Sequence, residues 1–163
     1  MSRENRNGVY VSMMVDSLRS KKKVLEELLD LTRRQEVLLK GEFDADLFNE
    51  LLDQKGSKID VLNELDEGFD SLFRSVKEEV TANKMLYKEE IMQMQDLIRA
   101  NSEIGVTIQS LEHHNSERYK MYLAKEKESI RSYHVNQRTA SAYYQNMANV
   151  HKNDASYFFD KTK

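Results

Sequence analysis

From Ile59 to Tyr122 the chain repeats apolar residues at alternating steps of three and four. The first run is Ile59, Leu62, Leu65, Phe69, Leu72, Val76 and Val80; the second is Tyr87, Ile91, Met94, Ile98, Asn101, Ile104, Ile108, Leu111, Asn115, Tyr119 and Tyr122. This spacing places every side chain of a run on one stripe of an α-helix, the seam of a coiled coil or long bundle. A single helix cannot hide such a stripe from water. Either the rest of the chain covers it or a partner does.

The remainder of the chain is suited to covering it. The 163 residues include no proline, no cysteine, no tryptophan and only 5 glycines, and 33% of them are charged. Few positions are therefore forced out of helix. Leu, Glu, Lys, Gln and Met, all good helix formers, fill the middle. A hydrophobic content of 39% suits narrow seams between slender helices better than a thick globular core. The expected fold is all-α, an elongated antiparallel three-helix bundle or coiled coil with a long third helix and a flexible C-terminal tail. It forms one domain over residues 1–163.

The first helix is expected over about 11–40, on a seam of Met14, Leu18, Leu25, Leu28 and Leu39. Its weak part is Lys21-Lys22-Lys23, where only long aliphatic stems can lie along apolar surface. Lys40-Gly41-Glu42-Phe43-Asp44 follows, with a glycine suited to ending one helix and an aspartate suited to capping the next. The second helix is expected over about 45–80. Gly56 and Gly68 lie inside it, each costing up to about 1 kcal/mol relative to alanine and marking a bend or a close helix approach. Near Thr81–Lys84 the seam loses its apolar residues, and Thr81 or Asn83 is placed to cap a third helix over about 85–133. A turn is expected there because one uninterrupted rod would bury little of its stripe without dimerising.

Helix two, at 1.5 Å per residue, is roughly 54 Å long. A third helix returning beside it runs out of partner near Lys120 or Met121, so the last turns of the seam are expected to lack internal cover. The tail, 134–163, is of another kind: rich in Asn, Gln, Ser, Thr and Ala, and dotted with aromatics. Tyr143, Tyr144 and Met147 share one helical face. The tail reads as partly disordered, with aromatics that fold against a partner. The candidate partner-binding residues are therefore Ile108, Leu111, Asn115, Tyr119, Tyr122, Ile130, Tyr133, Tyr143, Tyr144 and Met147.

Net charge is −3, unevenly spread. Gly41 to Val80 holds 12 acidic and 4 basic residues, whereas Arg118 to Lys163 holds 9 basic and 4 acidic. This reads either as a solvated acidic face or as a basic tail folding back on an acidic helix. No chemistry-bearing constellation appears. His113 and His114 are adjacent and point about 100° apart on a helix, so they cannot share a metal. There is no acid/base couple, phosphate-cradling glycine loop or nucleophile elbow. A non-enzyme without metal or cofactor is expected, and one that binds no nucleic acid. The N-terminus lacks a signal-peptide run, and no window approaches the roughly 18 apolar residues of a membrane span, so a cytoplasmic protein is expected. Asn101 and Asn115 occupy seam positions, where a polar residue fixes register or, alternatively, meets a partner's backbone.

Three stretches resemble the flagellar type III export chaperones, the FlgN-like family and its relative FliT. They are the leucine-rich hairpin Leu25 to Asp66, the run Tyr87 to Asn115, and the tail with Tyr-Tyr-Gln-Asn-Met. The resemblance implies a cytosolic chaperone that binds terminal helical segments of flagellar axial proteins, from the hook-filament junction or the cap. Such a chaperone prevents premature assembly and hands its clients to the export gate and ATPase complex. The resemblance also implies a client surface toward the C-terminal end. The competing reading is a scaffolding coiled coil that hides the same stripe by self-association, as in a homodimer.

Overall fold

A computed structural model describes residues 2–126 and 138–147, and every element within them is a helix. The first, α1, is Arg3–Lys40. It starts well before Val11 because Ser2 caps it, the hydroxyl accepting from the Asn5 amide at 3.3 Å. Its buried positions Val11, Met14, Leu18, Lys21, Leu25, Leu28, Thr32 and Gln35 hold one heptad register throughout. The three of these positions without an aliphatic residue are thus filled by the stem of a lysine, a threonine and the amide of a glutamine.

The first turn forms at the expected place. Gly41 closes α1 with its N–H donating to the Val37 carbonyl at 3.1 Å. Asp44 caps α2, Ala45–Ala82, by accepting from the Leu47 amide at 3.1 Å. Gly56 and Gly68 are exposed, and a Cβ on either would meet nothing within 4 Å, so neither marks a close approach. Thr81 and Asn83 finish α2 and do not start the next helix. The Thr81 hydroxyl donates to the Lys77 carbonyl, and the Asn83 N–H donates to Glu79. A turn over 83–87 leads to α3, Lys88–Glu126. Met85 and Leu86 stand exposed in that turn while Tyr87 packs inward. A fourth, short helix, α4, spans 138–147.

Helix α1 is the spine. Both α2 and α3 close on it, but no Cα of α2 comes within 8 Å of a Cα of α3. Contacts early on α1 fall late on α2 and the reverse: Ser17 and Lys21 reach Leu65 and Asp66, whereas Glu27 and Gln35 reach Lys58 and Lys55. Along α3 they rise together, Leu18 with Asn101 and Thr32 with Asn115.

The core is divided into three apolar clusters. The first holds Val11, Met14, Val15 and Leu18 with Phe69, Val76, Val80, Tyr87, Met94 and Ile98. The second holds Leu25, Leu28, Ile59, Leu62 and Ile108, and α4 joins it. The third holds Phe48, Tyr119 and Leu123, with Leu38, Leu39, Phe43, Leu52 and Tyr122 packed around them. Buried polar residues lie between the clusters. Buried Lys21 and Asn101, with half-buried Asp66, separate the first from the second. Thr32, Gln35, Lys55, Glu112, Asn115 and Ser116 separate the second from the third.

Candidate functional site

The expectation that the last turns of the α3 seam lack internal cover is corrected by the structure. Ile108, Asn115, Tyr119 and Leu123 are all buried within this chain. Two sources of cover were absent from the length argument. One is α4, which returns to the bundle and lies on α2 and α3 at once. The other is the first turn, whose Phe43 reaches the end of α3.

The α4 site is built from three long helices. Leu25 and Leu28 of α1, Ile59 and Leu62 of α2 and Ile108 of α3 form its floor, and Ala140, Tyr143, Tyr144 and Met147 fill it. Because α2 and α3 do not approach each other closely, a groove is left over α1 that a fourth helix can enter. Tyr143 and Tyr144 follow Ala140 by three and four residues and precede Met147 by four and three, which puts all four on one face, so α4 buries a continuous aromatic strip. A Cβ on Gly105 would collide with the Met147 ε-methyl, so Met147 packs against bare α3 backbone. This is the one glycine at which an added Cβ would force a neighbour, the far end of the Met147 side chain, to move.

Polar contacts fix α4 at its edge. The Tyr143 hydroxyl donates to Asp66 Oδ2 at 3.1 Å, and Asp66 Oδ1 accepts from Lys21 Nζ at 2.6 Å. One carboxylate thus ties together α1, α2 and α4. Burial, then the charge of Asp66 and the bond to it, push the Tyr143 hydroxyl well above the usual phenol range. Burial alone does the same to Tyr144, whose hydroxyl has no hydrogen-bond partner among the described residues. Both rings therefore pack as neutral phenols. The described part of the tail, α4, meets the acidic helix through a phenol, and its one cation, Arg138, is exposed.

The candidate residues fall into two places. Ile108, Tyr143, Tyr144 and Met147 meet in the α4 groove. Tyr119 and Tyr122 belong to the third cluster, Tyr119 stacked on Phe48 at 4.8 Å and Tyr122 tilted against Phe43 at 4.2 Å between ring centroids. Asn115 lies between the two and donates to the Thr32 carbonyl of α1 at 3.1 Å. Leu111 is half-buried. Ile130 and Tyr133 lie outside the described residues.

Sequence reasoning missed Gly105, Asp66, Lys21, Lys55 and Phe43. The signal for the lysines was present: Lys21 sits three after Leu18 and four before Leu25, and Lys55 sits three after Leu52 and four before Ile59. Both occupy seam positions. Lys55 is 3% exposed, and its Nζ donates to Gln35 Oε1 at 2.8 Å and pairs with Glu112 Oε1, which joins α1, α2 and α3. Burial pulls the Lys55 ammonium down to about 7.

His113 and His114 are exposed. Among the described residues no group of three or more His, Cys, Asp or Glu could hold a metal ion, and no helix is long and apolar enough to cross a membrane. Compared with known protein families, curated proteins and solved structures, the chain matches none.

Proposed function

We propose that this chain is a cytoplasmic, non-enzymatic flagellar export chaperone that receives terminal helical segments of axial proteins. Its framework would be an elongated antiparallel three-helix bundle with a long third helix. The observation that supports the reading is the α4 groove: three long helices hold a short aromatic helix over a floor of aliphatic side chains. A floor that fits one amphipathic helix fits others with a similar strip, because burial of apolar area is non-directional. Clients in this reading are hook-filament junction or cap proteins, which the chaperone keeps from assembling early and passes to the export gate and ATPase.

The test is calorimetry of the full chain with terminal segments of axial proteins, followed by hydrogen exchange of the complex. A complex is expected, with changed protection at 104–108 and 138–147. Absence of binding to every junction and cap segment discards the reading. If the chain instead forms a concentration-dependent dimer that occupies the same groove, the scaffolding alternative takes its place.

A further inference from the structure

The α4 groove treats two adjacent tyrosines differently. Tyr143 and Tyr144 are both buried in it. The Tyr143 hydroxyl donates to Asp66 Oδ2 at 3.1 Å, and the other oxygen of that carboxylate accepts from Lys21 Nζ at 2.6 Å. The acceptor is thus held from its far side by a buried lysine of α1. One residue on, the Tyr144 hydroxyl is also shut off from water, yet it finds no hydrogen-bond partner among the described residues. The floor beneath the two rings is otherwise aliphatic.

The two hydroxyls therefore act on binding with opposite sign. A hydrogen bond to a carboxylate is stronger than one between neutral groups, and an occupant without a donor leaves that oxygen unmet. A phenol suits Asp66 better than a cation does, because a second ammonium there would face Lys21. At the next position a hydroxyl loses its hydration and gains nothing, so a plain aromatic ring fits better. At the end of the strip, the Met147 ε-methyl lies where a Gly105 side chain would begin, which suits a long unbranched side chain.

We infer that Asp66 is the specificity-determining residue of the groove, with Lys21 positioning its carboxylate. It selects amphipathic helices that present a tyrosine followed directly by a ring with no polar group. The same face carries a small residue three positions before the tyrosine and a long unbranched one four positions after it. By this rule Tyr-Phe binds more tightly than the Tyr-Tyr of α4. The inference rests on the groove as a receiving site for helices, and not on which proteins supply them.

The rule is tested by calorimetry on the full chain carrying Tyr143→Ala, Tyr144→Ala and Met147→Ala, which strips α4 of its buried face and leaves the three long helices untouched. The probe is a peptide of residues 138–147 set between alanine-rich helical turns. It should bind, its Tyr143→Phe form about tenfold or more weakly, and its Tyr144→Phe form as tightly or up to about tenfold tighter. With Lys21→Met and Asp66→Leu added to the chain, the loss on Tyr143→Phe should vanish. A purely structural role for Asp66 would instead weaken all three peptides alike. Failure of the unmodified peptide to bind, equal binding of its Tyr143→Phe form, or a loss that persists without Asp66 overturns the inference. Should the triple-alanine chain fail to fold, hydrogen exchange over 138–147 in otherwise wild-type chains decides. Tyr143→Phe should cut protection about tenfold and Tyr144→Phe should not, whereas equal effects overturn the rule. Peptides that obey the rule, while no axial segment binds the wild type, discard the chaperone reading and support the rule. Axial segments that bind equally well with their tyrosines changed to phenylalanine do the reverse.

Discussion

Lys55 stands where the seam spacing asks for an aliphatic residue, and its surroundings make it sensitive to change. Lys55→Ala leaves Glu112 buried without its cation and should cost about 3–5 kcal/mol in urea denaturation. Lys55→Met together with Glu112→Leu removes both charges and should be neutral or stabilising. Acidity adds a second check. The ammonium falls from about 10.5 to about 7 on folding, and burial is the cause. Below pH 7 both folded and unfolded chains carry the proton, so the lysine adds no slope. Between about 7 and 10.5 the unfolded chain binds more protons, so stability should rise with pH across that window. The paired apolar variant should lack that rise when urea midpoints are compared at several pH values. The glycines of α2 make a simpler case. With open space at both Cβ positions, Gly56→Ala and Gly68→Ala should each stabilise by about 0.5–1 kcal/mol, read as a higher thermal midpoint.

At the scale of elements, α4 is the piece whose place depends most on shape. Ten residues make a marginal helix in isolation, so its helicity comes from burying Tyr143, Tyr144 and Met147 against the bundle. Gly105→Leu would fill the space taken by the Met147 methyl. The expected result is loss of protection over 138–147 by about tenfold or more in hydrogen exchange, with protection over 91–98 unchanged. Adding Met147→Ala to a smaller change, Gly105→Ala, should restore part of it, because the shortened side chain vacates the overlap. The turns that define the longer helices act locally by comparison: Asp44 holds one amide of α2, and Asn83 ends that helix.

At the scale of the whole molecule, register between α1 and α3 is set by two asparagines two heptads apart. Asn101 donates to the Leu18 carbonyl at 3.2 Å and Asn115 to the Thr32 carbonyl at 3.1 Å, also two heptads apart. Their Oδ1 atoms are buried without a partner among the described residues, so the amides cost stability while specifying alignment. Replacing both with leucine should raise the urea midpoint yet relax uniqueness. Sedimentation should then detect self-associated species absent from the wild type, because an all-apolar seam no longer discriminates between partners. A monomer with an unchanged exchange pattern would show that packing alone sets the register.

Helical period, the turn at Gly41–Asp44 and the break after Val80 were legible in the sequence because they rest on local chemistry: side-chain spacing, capping oxygens and the loss of apolar residues. The seam roles of Asn101 and Asn115 were legible for the same reason. The candidate site was read only in part. Tyr143, Tyr144 and Met147 were recognised as one helical face, but the surface beneath that face depends on how far α2 and α3 splay, which no local pattern encodes. Lys21 and Lys55 occupy seam positions by spacing, yet a lysine reads as solvated until a carboxylate on another helix, Asp66 or Glu112, is placed against it. The sequence by itself determined which residues form helices and which stripe each helix must hide. Tertiary structure decided what hides it, because apolar burial has no direction and accepts any cover that the geometry brings close. Along Ile108 to Leu123 that cover is α4 and the Phe43 turn, where the sequence alone had left the seam open to a partner.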